Sequence, residues 1–128
     1  MSKKAPRVSK APPVSTAVLV QAVAGQGFAA AGNNQPANFL VVVTNPVTGV
    51  AVTNLTQKNF TMVNHFSIPG QVCGFSNNIT AFNNVLNGAY HIQVKPKGCN
   101  WVSGDYLAQI IVSAKGIAGQ TVATLSIK

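Results

Sequence analysis

Two cysteines, two histidines and one acidic residue make up the chain's whole stock of thiol, imidazole and carboxylate side chains: Cys73, Cys99, His65, His91 and Asp105. Each arrangement they could serve meets an obstacle. With Asp105 as the only side-chain carboxylate, the paired acids of glycoside hydrolysis and of acid–base work are missing. A Ser-His-Asp triad would have to draw on Asp105, which sits between Gly104 and Tyr106 at the start of an apolar run. There it is better placed to accept a hydrogen bond from the backbone or from a tyrosine corner. A Cys-His nucleophile needs a free thiol. Two cysteines are too few for a structural zinc site, and adding His65 and His91 gives no standard ligand order. No glycine loop precedes a helix to hold phosphate. The expectation is a protein that is not an enzyme, with no cofactor and no metal.

The cysteines point to a different chemistry. An even count in a small β-rich chain favours one disulfide, Cys73–Cys99, and an oxidising compartment, extracellular or at the cell surface. Both lie in glycine-flanked loop sequence, VCGF and KGCNW. Closing a loop of about 26 residues would stabilise the fold by roughly 3 kcal/mol. The alternative is a pair of buried free thiols. If the two pair, the 67–78 and 96–103 loops lie side by side. Trp101 and Phe75, with Lys95 and Lys97, could then form an aromatic and basic binding platform. Equally, Trp101 could pack over the disulfide as a lid on the core. His65 and His91 read most simply as solvated or edge-facing histidines. Asn54, Asn59 and Asn78 each match the glycosylation acceptor pattern, a weak signal in an Asn- and Thr-rich chain.

The 128 residues carry nine Lys and Arg against one acid, a formal charge of +8, yet only 8 % of residues are charged. Amides and hydroxyls take the place of charge on the surface. Lys3, Lys4, Arg7 and Lys10 crowd into residues 1–13, a proline-bearing stretch with too little apolar surface to offset ordering. It is expected to be a disordered basic arm that touches a polyanion, or else a leader or cloning remnant. The remaining bases are scattered, a weak pattern for a nucleic-acid groove. Residues 14–24 followed by Phe28-Ala29-Ala30-Ala31 loosely mimic a signal peptide, but Pro12, Pro13 and Gln21 favour a first strand. No apolar run is long enough to span a membrane.

Positioning falls to strands. Tyr90, Ile92 and Val94 alternate with His91, Gln93 and Lys95, the period of a half-buried strand. Tyr106, Ala108, Ile110 and Val112 repeat it. Seven strands are expected: 15–24, 38–44, 60–66 with Phe60 and Met62 inward, 79–86 with Ile79, Ala81 and Phe82 inward, 89–95, 104–114 and 120–128. A further short strand is possible at 50–53. The second, apolar in both phases, should lie centrally with both faces covered. Asn45-Pro46-Val47-Thr48-Gly49 and Asn87-Gly88 are turn signals. The pattern suits one all-β domain over residues 14–128, an immunoglobulin-like antiparallel β-sandwich of about seven strands behind the arm.

The run VTNPVTGVAVTNLTQKNFTMVN resembles a segment of bacterial immunoglobulin-like and macroglobulin-type β-sandwich modules, as do the Gly-x-Tyr strands NGAYHIQV and SGDYLAQIIV. The resemblance covers residues 39–112. It departs from antibody domains in the placing of the cysteines and of Trp101, both in loop sequence, so a bridge between two loops at one end of the sandwich is expected. It implies a spacer, adhesive unit or binding platform. Function is therefore expected to be non-catalytic binding or assembly outside the reducing cytosol, with a protein partner or a second copy. The alternative is a virion-type capsid or decoration protein whose basic arm contacts nucleic acid.

Overall fold

Alternation of apolar and polar residues gives eight strands among the described residues of the computed structural model, which are 16–66, 68–71 and 73–128. They are β1 (Thr16–Ala17), β2 (Leu19–Gly25), β3 (Ala37–Thr44), β4 (Phe60–His65), β5 (Ile79–Leu86), β6 (Ala89–Val94), β7 (Gly104–Ala114) and β8 (Ile117–Ile127). A single 3-10 turn at Gln57–Asn59 precedes β4. One sheet has the order β2-β3-β6-β5 and the other β1-β8-β7-β4. All pairs are antiparallel except β1 with β8. The two sheets form a β-sandwich around one core. Phe39, Val41, Val43, Tyr90, Ile92 and Val94 supply its first wall, and Phe60, Met62, Tyr106, Ala108, Ile110, Val112 and Leu125 its second.

Four details depart from the sequence reading. The expected first strand is two. At Val18 the chain leaves β8 and crosses to β3, with the Val18 N–H bonded to the Ala118 carbonyl at 3.0 Å. Gly119 makes the crossing possible, because a Cβ there would lie 2.5 Å from the Val18 oxygen. Second, β3 is central, between β2 and β6, but only its inner face is covered: Leu40 is 40 % exposed. Third, a register shift between Ile79 and Ala81 breaks the period of β5. Ile79 and Phe82 therefore pack on the core, while Ala81 pairs with Gln93 on the outer phase. Fourth, the short strand expected at 50–53 is reduced to one bridge, Thr44 to Ala51.

The turns follow the predicted chemistry. Asn45 Oδ1 accepts the N–H groups of Val47 and Thr48, at 2.9 and 3.0 Å. Gly88, with φ of 78°, closes the two-residue hairpin between β5 and β6. The free edge of β4 is partly covered by the 75–77 segment. Asn77 donates to the Met62 carbonyl and Asn64 N–H donates to Ser76 Oγ. The register shifts along β5 roughen the other open edge, a common defence against unwanted strand pairing.

Candidate functional site

The cysteines pair. Cys73 and Cys99 form a disulfide with Cα atoms 6.3 Å apart, joining the β4–β5 and β6–β7 connections. The loops run side by side there, with Lys97 N–H bonded to the Gly74 carbonyl at 3.0 Å. Of the two readings of Trp101, burial selects the lid. Trp101 is 1 % exposed and Phe75 fully buried, so neither ring faces a partner, and the aromatic platform is corrected on that ground. An indole is mostly apolar with one donor, so burial requires a partner for that N–H. Gln35 supplies it, its carbonyl accepting Nε1–H at 2.7 Å. The ring meets Tyr106 edge to face at 5.0 Å and Phe75 at 6.0 Å. Of the proposed platform, Lys97 is exposed and Lys95 half-buried. The exposed aromatics at this end are Phe28 and Phe66, which no periodicity singles out.

The titratable residues are dispersed. His65 lies on the outer phase of β4 and shares a hydrogen bond of 2.9 Å with Gln109. His91 lies on the outer phase of the other sheet and bonds Asn38 Oδ1 at 2.9 Å. The core separates the two rings. Asp105 accepts the Ser126 hydroxyl at 2.7 Å. Among the described residues no three His, Cys, Asp or Glu side chains cluster as a metal site would need. Of the three acceptor-pattern asparagines, Asn59 donates to the Ser113 carbonyl and Asn78 to that of Lys95, while Asn54 lies exposed in a loop. Lys3, Lys4, Arg7 and Lys10 fall outside the described residues.

What the molecule offers instead is a surface. Strand register lines up two rows on the outside of the β2-β3-β6-β5 sheet: Val23, Leu40, His91, Asn83, and Gln21, Val42, Ala89, Leu86. Leu19 extends the second. Val23 is 64 % exposed and Leu86 71 %. None of the four strands carries an ionic side chain. The polar members pair within the face: Asn38 Oδ1 accepts from both His91 Nε2 and Gln93 Nε2, each at 2.9 Å. On the opposite sheet Val122 is the one large apolar side chain of its strands that is mostly exposed. Every described lysine lies beyond the strands, at Lys58, Lys95, Lys97, Lys115 and Lys128.

Local sequence pattern conceals this face. β3 is apolar in both phases, which reads as a doubly covered strand, whereas here none of the other described strands lies over its outer face. No helix of the described residues is long and apolar enough to cross a membrane. No protein-family model, curated protein or solved structure matches the chain.

Proposed function

We propose that this protein is a non-catalytic, immunoglobulin-like β-sandwich that works by assembly, copies of it associating through the outer face of the β2-β3-β6-β5 sheet. The observation that carries the reading is a sheet face without ionic side chains on which Leu19, Val23, Leu40, Val42 and Leu86 point outward among Gln21, Asn83 and His91. An exposed apolar patch of this kind marks a surface that something covers. A second copy suits it on electrostatic grounds. The described body carries five lysines against Asp105, so two copies repel wherever their ends meet. The charge-free sheet lets them approach without setting like charges together. A charged partner would find nothing here to pair with.

The fold assignment draws support from strand order. With β1 counted as a short return onto β8, the order β2-β3-β6-β5 facing β8-β7-β4 agrees with that expected of a constant-type immunoglobulin sandwich. Tyr106, near the start of β7 and bonded to the backbone upstream, fits the tyrosine corner of such folds. The disulfide favours an oxidising compartment, outside the cell or at its surface.

Size sets the strength. Four strands spaced about 4.8 Å, each about 25 Å long, present roughly 450 Å² per copy. That is below the ~800 Å² per partner of a stable complex, so association is weak and rises with concentration. Sedimentation velocity across a concentration series tests it. The wild type should shift from monomer to dimer or larger species, and Leu40→Lys should remain monomeric with an unchanged circular dichroism spectrum. A wild type that stays monomeric up to its solubility limit would overturn the reading.

A further inference from the structure

The outer face of the β2-β3-β6-β5 sheet carries one side chain whose charge can change near neutral pH, and it sits on an inner strand. Of the four strands, only β6 holds titratable residues, Tyr90 and His91. Tyr90 is buried in the core. His91 lies on the outer phase, half-buried, level with Leu40 of β3 on one side and Asn83 of β5 on the other. Its Nε2 is 2.9 Å from Asn38 Oδ1, which also accepts the Gln93 amide at 2.9 Å. An amide oxygen can only accept, so Nε2 carries the proton and the neutral ring keeps its lone pair on Nδ1. No carboxylate faces the ring from β3, from β5 or from its own strand, and none of the other described strands lies over it. Beyond the end of β6 the next charge is Lys95, about 13 Å further along the chain and of the same sign as an imidazolium.

From this placement we infer that His91 makes self-association through the sheet pH-dependent, allowing it while the ring is neutral and opposing it once the ring is protonated. The inference rests on the proposed assembly through this face. Histidine ordinarily changes charge between about pH 5 and 8. Protonation turns Nδ1 into a second donor and puts a cation on a face with no anion to pair with it. Copies that meet through the same patch each bring that cation, since such a contact repeats every residue. Burying an unpaired charge is costly, so the associated form sheds the proton instead. Separate copies then bind more protons than the associated pair, and association strengthens as pH rises. Two protons released per pair weaken association by up to about a hundredfold for each pH unit below the range in which the ring titrates. His65 has no such effect, because it lies on the other sheet, bonded to Gln109.

Sedimentation velocity of the full-length protein at about pH 8 and about pH 5, in about 1 M salt to screen the change in overall charge, tests the inference. The wild type should associate at the higher pH and dissociate at the lower, with an unchanged circular dichroism spectrum. His91→Gln keeps an amide that can donate to Asn38 and removes the titrating ring, so it should associate alike at both. His65→Gln should respond to pH as the wild type does. A wild type that associates equally at both pH values would overturn the inference and leave the assembly reading standing. So would a pH response that persists in His91→Gln or is lost in His65→Gln, or a His91→Gln that never associates. A wild type that is monomeric at both would overturn the assembly reading and this inference with it.

Discussion

The Tyr106 hydroxyl accepts the Val102 N–H at 2.8 Å, folding the start of β7 back on the connection that precedes it. The same ring meets the Trp101 indole edge to face. At the opposite end the Tyr90 hydroxyl does a similar task, donating to the Val52 carbonyl at 2.7 Å and accepting the Leu55 N–H at 3.3 Å. Each tyrosine therefore fills the core with its ring and pins a crossover between sheets with its oxygen. Tyr106→Phe keeps the ring and strands the Val102 N–H, for a cost of about 1–3 kcal/mol. Tyr90→Phe strands two backbone groups, one on buried Leu55, and should cost at least as much. Urea unfolding should give lower midpoints with unchanged slopes in both variants.

The disulfide and the Trp101 lid are neighbours but separately held. Trp101 is fixed by Gln35 and Asn33, whose carbonyls accept its Nε1–H and its backbone N–H. The bridge spans 26 residues and, in the chain-entropy account, acts on the unfolded state, at about 3 kcal/mol. Replacing both cysteines by alanine should therefore lower stability by about that amount while leaving the near-ultraviolet signal of Trp101 in place. Trp101→Ala removes the lid itself and should cost about 3–5 kcal/mol with the disulfide intact.

Most of this frame was legible in the sequence, for one physical reason: a strand that buries one face must alternate. β6 and β7 do so cleanly, and β7 falls at the predicted residues Gly104–Ala114. The two glycine-flanked cysteines were readable as a loop-to-loop bridge. Features made by a neighbour rather than by local pattern were not. The break at Val18 exists because β8 offers Gly119, about a hundred residues away in sequence. The inward turn of Phe82 follows from a bulge that the run ITAFNNVL does not announce. Trp101 with Phe75 and two lysines suggested a platform, because sequence gives composition but not which rings the sandwich encloses.

Gly119 also yields a paired test. An alanine there would drive its Cβ against the Val18 backbone oxygen and side chain, at 2.5 and 2.8 Å, forcing the first strand off β8. Backbone displacement of this kind costs about 1–3 kcal/mol. Gly25, at the end of β2, has nothing within 4 Å of the place a methyl group would take. Gly25→Ala should be neutral or stabilise by about 0.4–1 kcal/mol, through lost freedom of the unfolded chain. Thermal or urea melts of the two variants should therefore move in opposite directions or leave Gly25→Ala unmoved.

Salt tests the nature of the sheet contact by sign. Copies that meet through an ion-free sheet are held by apolar burial and opposed by long-range repulsion between bodies of like charge. Raising salt screens the repulsion, with a Debye length falling from about 10 Å at 0.1 M to about 3 Å at 1 M, and leaves the apolar contact intact. Self-association should therefore strengthen with salt. Leu40→Lys should abolish it at every salt concentration. Val122→Lys puts the same charge on the opposite sheet, where Val122 pairs with Gln109 outside the proposed contact, and should spare self-association. Sedimentation of one preparation at several salt concentrations reads the sign. Self-association that weakens as salt rises would identify a charged contact and exclude the sheet as the place where copies meet.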